Sequence, residues 1–333
     1  RAPFYEKLVE YAKKAKDSWH TPGHASGNSA RNSLYIKDFY DFFGENLFAS
    51  DISVSVPELD SLLHPGGVIK EAEELAARAF SARYTFFSTN GTSTANKILI
   101  QTLLKPGDAI LLDRNCHKSV HYGMIISGAE PIYLMPSVNN KYGIFGPIPK
   151  QRIIEAMDDS LAANKNLKAL ILTNCTYDGL IYDIEDIVRE AHQRGIKVIV
   201  DEAWFGYANF HREFYPSAMV AGADYATQST HKTMSAFSQA SMIHVNDPDF
   251  EDIEDFFMEN FNMHTSTSPQ YPMIASLDVA RKQMVMEGYS LMKNVLDLSA
   301  LLRDSINSLK KFRVLDLNDM LSEEVKNDNI RLD

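Results

Sequence analysis

An α/β fold with a mostly parallel sheet and helices on both faces is predicted by two observations. Between Tyr84 and Val245, short strand patterns alternate with helical ones, the rhythm of repeated βα units joined by right-handed crossovers. The strand patterns are also near-continuous apolar runs rather than alternating ones, as expected of strands buried on both faces.

The elements follow in order. Phe4, Leu8, Tyr11 and Ala15 recur at helical spacing within residues 1–19. His20-Thr21-Pro22-Gly23-His24 marks a turn and opens a Ser/Asn/Gly-rich loop to Ser33. Its two histidines have no Cys or carboxylate at ligand spacing, so no metal site is assigned to them. Residues 39–66 are aromatic with no dominant period and read as an arm lying over another surface. A helix over 68–80 places Ile69, Ala72, Leu75, Ala76 and Ala79 on one side. Strands are then predicted at 84–88, 109–113, 131–135, 167–174, 196–201, 225–229 and 240–245. Helices are predicted at 92–104, 117–127, 148–163, 184–194, 249–261 and 270–309, the last with a break at Gly288. The final two strands, joined by a turn around Lys232, depart from the βα rhythm. The proposed division is an arm or linker over 1–50, a ligand-binding large domain over 51–285, and an interdomain helix with the start of a smaller domain over 286–333.

With 333 residues and 45% of them hydrophobic, one large or two modest domains have ample core. A net charge of −11 argues against nucleic acid as a main partner and mildly favours cationic small molecules. Two cysteines, Cys116 and Cys175, make no disulfide framework, and a reducing cytoplasm is the simplest setting. The sequence shows no signal peptide or membrane-spanning run. The chain starts at Arg1 without Met and reads as a piece of something longer.

Ligands of such sheets bind at the carboxyl ends of the strands, and four polar groups gather there. Ser88-Thr89-Asn90-Gly91-Thr92-Ser93-Thr94 joins a strand to a helix; its free N–H groups, the helix dipole and the Thr92 and Ser93 hydroxyls favour an anion, and Gly91 lets the backbone approach. A plain capped helix is the alternative. Asp201 ends a buried strand, where a carboxylate wants a cationic partner; Glu202 should point to the other face, and Ala203, being small, leaves room for a flat ring beside Trp204. His117, in Asp113-Arg114-Asn115-Cys116-His117-Lys118-Ser119, could stack on such a ring, or its segment could simply cap a helix. Lys232 closes Gln228-Ser229-Thr230-His231-Lys232 between two core strands, where a free ammonium is costly and a Schiff base removes the cost; a surface turn is the alternative. A ligand with a phosphate, a pyridinium nitrogen and an aldehyde uses all four groups. That ligand is pyridoxal 5′-phosphate.

These motifs resemble the bacterial pyridoxal-phosphate-dependent Orn/Lys/Arg decarboxylases, of type I (aspartate-aminotransferase-like) fold. The resemblance runs from about Phe4 to Pro272 and rests on His20–His24, Asn90-Gly91-Thr92-Ser93, Asp113–Ser119, Thr176-Tyr177-Asp178-Gly179 and Ser229-Thr230-His231-Lys232. Phe237–His244 is very like the inducible lysine enzymes, and Gly143–Ile148 is closer to the arginine ones. The resemblance implies that Lys232 binds the cofactor aldehyde, Asp201 pairs with the ring nitrogen and His117 stacks on the ring. It implies that Thr92, Ser93 and Ser229 hold the phosphate, that Ser266 reaches the phosphate of a neighbouring subunit, and that Trp204, His231 and Thr176 line the pocket. The implied reaction removes CO2 from a basic amino acid (lysine, arginine or ornithine), with Lys232 or His231 returning a proton to Cα, in a homo-oligomer that is at least a dimer. An aminotransferase or aldolase-type enzyme on the same fold is the alternative, and a non-catalytic regulator a third. One departure is Glu202, where the inducible enzymes often have Ser. Their N-terminal wing and most of their small C-terminal domain have no counterpart in these residues.

Overall fold

The structure, a computed structural model, describes residues 1–14, 17–53 and 56–333. Its main sheet has seven strands: β1 (Tyr84–Ser88), β2 (Asp108–Asp113), β3 (Glu130–Leu134), β4 (Asn166–Thr173), β5 (Lys197–Asp201), β6 (Tyr225–Gln228) and β7 (Ser241–Val245). Their order across the sheet is β1-β7-β6-β5-β4-β2-β3. The pairs β2–β3, β2–β4, β4–β5 and β5–β6 are parallel, whereas β7 runs antiparallel to both β1 and β6. The reversal of β7 is the break in βα rhythm expected around Lys232.

Alternate residues of each inner strand enter opposite cores, which is why these strands read as continuous apolar runs. Ile110 and Leu112 of β2 and Ile199 of β5 join one cluster. Ala109 and Leu111 of β2 and Val198 and Val200 of β5 join the other. The first face is covered by α1 (Pro3–Lys14), α2 (Val68–Ala79), α3 (Thr92–Leu103), α4 (Lys118–Ser127), α7 (Glu254–His264) and the first half of α8 (Tyr271–Ser308). The second face is covered by α5 (Lys150–Ala162), through Ile153 and Met157, and by α6 (Ile184–Gln193), through Ile187 and Val188. The predicted elements fall within a few residues of these bounds. Asp183 caps α6 by accepting from the Glu185 N–H. Ile330–Leu332 adds a short antiparallel pair to Leu180–Tyr182.

Three expectations need correction. Gly288 does not break α8, which is continuous over 38 residues. Its small size serves packing: a Cβ there would lie 2.9 Å from Phe210 Cβ. The described part of the segment 39–66 is not irregular. It contains helical turns at Lys37–Phe43, Glu45–Ser50 and Pro57–Leu59, and it buries Phe48, Leu59 and Leu62 in this chain's own body while Phe39 and Phe42 stay exposed. Aromatic residues on both sides of these short turns hid the period. The helix expected over 249–261 starts instead as a 3-10 turn at Phe250–Asp252 and continues as α7. The N-terminal helix buries Phe4 and Leu8 as its spacing predicts; Ala15 lies outside the described residues.

Candidate active site

The carboxyl ends of β4, β5 and β6 and the amino ends of α3 and α4 enclose a cavity of about 580 Å³. Parallel strands deliver their last residues to one edge, and in register Thr173, Asp201 and Thr227 lie side by side there. Asn90, Gly91, Thr92, Ser93, His117, Thr176, Asp201, Ala203, Trp204, Ser229, His231 and Lys232 all line this cavity. Ser266 does not; it is exposed, with its hydroxyl accepting from the Ser268 N–H at 3.1 Å.

Gly91 precedes α3 with φ of +76°, a left-handed backbone that any side chain would strain. Having no side chain, it leaves the first-turn N–H groups of Thr92 and Ser93 without a cap at the cavity wall. Thr92 Oγ1 lies 2.7 Å from Ser229 Oγ, so hydroxyls from two elements meet beside those N–H groups. Gly91 is fixed in turn by its N–H donating to Gln239 O at 2.9 Å.

Asp201 is buried, and its carboxyl is held by neutral donors. Asn96 Nδ2 donates to Oδ2 at 2.9 Å and the Ala203 N–H donates to Oδ1 at 3.0 Å. Burial pushes this carboxyl above the ordinary range, while the Asn96 and Ala203 hydrogen bonds and the His117 and Lys232 charges pull the other way. The Asn96 amide also donates to Ser119 Oγ at 3.1 Å and accepts from Thr227 Oγ1 at 2.8 Å, so its nitrogen and its oxygen both have partners. Ser119 then lies 2.8 Å from His117 Nδ1, which also accepts from the Ser119 N–H as the cap of α4. With Nδ1 an acceptor, neutral His117 carries its proton on Nε2. His117 thus caps a helix and lines the cavity at once.

Glu202 points to the opposite face, as strand alternation predicts. Its oxygens accept from the Ala218 N–H at 2.6 Å and from Gln228 Nε2 at 2.8 Å, and burial pushes its carboxyl up to about 7. The chain of bonds continues from Gln228 Oε1 to His244 Nε2 at 3.0 Å and from His244 Nδ1 to Thr85 Oγ1 at 2.8 Å. This chain of bonds links the four adjacent strands β5, β6, β7 and β1.

Lys232 corrects its expected environment. It sits on the helical turn Thr230–Thr233 and is exposed at the cavity wall rather than sealed between strands, so it carries no buried, unpaired charge. Its Nζ stands 4.4 Å from the centroid of the Trp204 ring. Partial burial holds the ammonium below the ordinary lysine range, against the pull of Asp201. His231 Nδ1 donates to Ala240 O at 2.9 Å, which leaves Nε2 as its free nitrogen. Cys116 pairs with His121 (3.5 Å), not His117, and burial pushes its thiol up to about 12.

Asn96, Ser119 and Thr227 were not singled out in the sequence. Asn96 follows Thr92 by four residues and so shares its helix face, a signal that a polar residue there also looks toward the cavity. Asp113, Asp178 and Tyr177 line the cavity as well. Burial pushes the Asp113 carboxyl up to about 6.

Comparison with known proteins agrees with this geometry. The family profile described as "Orn/Lys/Arg decarboxylase, major domain" matches residues 2–329. Lysine decarboxylase LdcA of Pseudomonas aeruginosa is 45% identical, over 95% of this chain and 44% of that protein. An arginine decarboxylase of Bacillus cereus is 39% identical, over 92% of this chain and 64% of that protein. The chain therefore spans less than two thirds of these relatives. The solved structure of lysine decarboxylase A from Pseudomonas aeruginosa superposes with a TM-score of 0.86 at 40% identity, over 97% of this chain and 46% of that one. A serine palmitoyltransferase from Sphingomonas wittichii, 15% identical, shares the fold alone, with a TM-score of 0.61 over 92% of this chain and 65% of that one. The fold is that of the type I pyridoxal-phosphate-dependent enzymes, and the chain belongs to the Orn/Lys/Arg decarboxylase family, matching its major domain.

Proposed function

We propose that this chain forms the cofactor-binding part of an enzyme that decarboxylates a basic amino acid with pyridoxal 5′-phosphate, giving a diamine or agmatine and CO2. The observation that carries the reading is one cavity wall holding a buried Asp201, an exposed Lys232 amine and the uncapped amino end of α3.

The donor set fits the cofactor. Asp201 is buried with only neutral donors attached, so a protonated ring nitrogen supplies the cation it lacks. The Thr92, Ser93 and Ser229 groups present hydroxyls and N–H groups to a phosphate. Thr173 Oγ1, buried at the same cavity, has no partner of its own and is available to a ligand. Ala203 and His117 would bracket a flat ring, and Lys232 would hold the aldehyde carbon. When bound, the cofactor supplies an electron sink for the bond to the departing carboxylate. Asp201, oriented by Asn96, would keep the proton on the ring nitrogen. Lys232 Nζ or His231 Nε2 would then deliver a proton to the substrate Cα. Asp113 and Asp178 line the cavity in addition to Asp201, and no arginine does so among the described residues. This negative wall suits a substrate with a cationic far end. Relatives bearing the names lysine decarboxylase and arginine decarboxylase support the same substrate class.

Ser266 would serve the phosphate of a second copy, which makes a homodimer the smallest active unit. We keep residues 51–285 as the cofactor-binding domain, with 1–50 as an arm and 286–333 as an interdomain segment. Among the described residues no helix is long and apolar enough to cross a membrane.

The test is direct. Protein incubated with pyridoxal 5′-phosphate and reduced with borohydride is expected to carry the label on Lys232, and Lys232→Ala to lose it. A panel of lysine, arginine and ornithine is expected to release CO2 from at least one. Production of a keto acid without CO2, or a label on another amine, would overturn the proposal.

A further inference from the structure

The Lys232 ammonium faces an aromatic ring. Among the described residues it forms no ion pair and no hydrogen bond, yet its Nζ lies 4.4 Å from the Trp204 ring centroid. That distance places a cation on the negative face of an indole, the aromatic face that attracts one best. The ring is itself held. Its backbone lies within the tight turn in which the Phe205 N–H donates to Glu202 O at 2.9 Å, and Tyr177 meets it with ring centroids 6.1 Å apart at 82°. Trp204 and Lys232 come from different strand ends, so the contact is a product of the fold and not of local sequence.

We propose that the Trp204 indole is the resting place of the Lys232 ammonium whenever that amine is not joined to the cofactor. This rests on the reading of Lys232 as the cofactor-binding amine. With the cofactor held by a substrate amine, Lys232 would be free, and a free lysine on a flexible stem would otherwise swing toward bulk water. The indole face keeps it at the cavity wall, protonated and facing the space where Cα must be reprotonated. Trp204 is then a positioning residue. It favours the charged form of Lys232 together with Asp201, against burial; Asp113, His117, Tyr177, Asp178 and His231 are the other titratable groups on the surrounding wall.

The test uses the cofactor-free protein and reads the Lys232 titration by ¹³C-¹H NMR of its Cε, assigned with Lys232→Ala. Removing the ring in Trp204→Leu is expected to lower the Lys232 pKa by about half a unit or more, and to remove the ring-current shift of its Hε signals. Trp204→Phe keeps a weaker face and is expected to fall between the two; it also serves alone should the Leu variant fail to fold. An unchanged Lys232 pKa and unmoved Hε signals in both variants would overturn the proposal. Borohydride labelling is run in parallel. A label on Lys232 with an unmoved titration refutes the resting place alone, whereas a label elsewhere refutes the reading of Lys232 beneath it as well.

Discussion

Glu73 gives a test of the scaffold under the uncapped amino end of α3. It lies on α2 and is buried, and its Oε1 accepts the Phe87 N–H at 2.8 Å, one residue before Ser88. Burial pushes its carboxyl from 4.5 up to about 8; the Phe87 hydrogen bond opposes this, and the nearby Asp60 carboxylate adds to it. The folded state therefore keeps a proton that the unfolded chain releases near 4.5. The sign follows from proton binding: the stabilisation is complete below the unfolded value and is lost as pH rises through the folded one. A shift of about 3.5 units at about 1.36 kcal/mol each sets a ceiling of about 5 kcal/mol, and relaxation of the site brings the expected change to about 2–5 kcal/mol. Glu73→Gln keeps the oxygen that accepts from Phe87 and removes the titration. Urea unfolding of both proteins at several pH values from about 5 to about 8 should show the variant gaining stability relative to the parent as pH rises. Any constant offset from the new amide cancels, because only the slope of the difference is diagnostic. A difference that stays flat across that range would refute the assignment of a neutral buried carboxyl.

Two further substitutions probe the site and its support. Asn96→Ala strips Asp201, Ser119 and Thr227 of a shared partner and should cost about 1–3 kcal/mol in urea melts; it should also weaken cofactor retention, measured by equilibrium dialysis. Gly288→Ala gains helix propensity of about 1 kcal/mol, but its new Cβ meets Phe210 Cβ, an atom that no side-chain rotation can move away. The overpacking cost of about 1–3 kcal/mol should win, lowering the melting temperature.

Much of the sheet was legible because each inner strand feeds two cores and so announces itself as an apolar run. Asp201 and Glu202 could be assigned to opposite faces from alternation alone. Gly91 was legible because a glycine between a strand and a helix has a backbone reason to be there. Lys232 was harder: its flanking strands show that a turn exists but not on which side the turn throws its residues. Gly288 misled because a glycine in a helix can mark either a break or a close approach, and only the position of Phe210 decides. Asn96 escaped notice because its partners come from three separate segments, around Ser119, Asp201 and Thr227. Satisfaction of a buried amide is a property of the assembled fold.

The long helix α8 has two thermal regimes. Its buried residues end at Gly288, and beyond that point Tyr289, Val295, Leu298, Leu301 and Leu302 lie on the surface. The inner half, clamped against α1 and α2, can exchange its amide hydrogens only when the body opens. The outer half, about 20 residues or some 30 Å of rod, still meets the body through Tyr289, stacked on His211, and through Met292 and Leu296; past Leu296 it relies on its own backbone ladder and should fray one turn at a time. The seam between slow and fast exchange should fall just past Leu296.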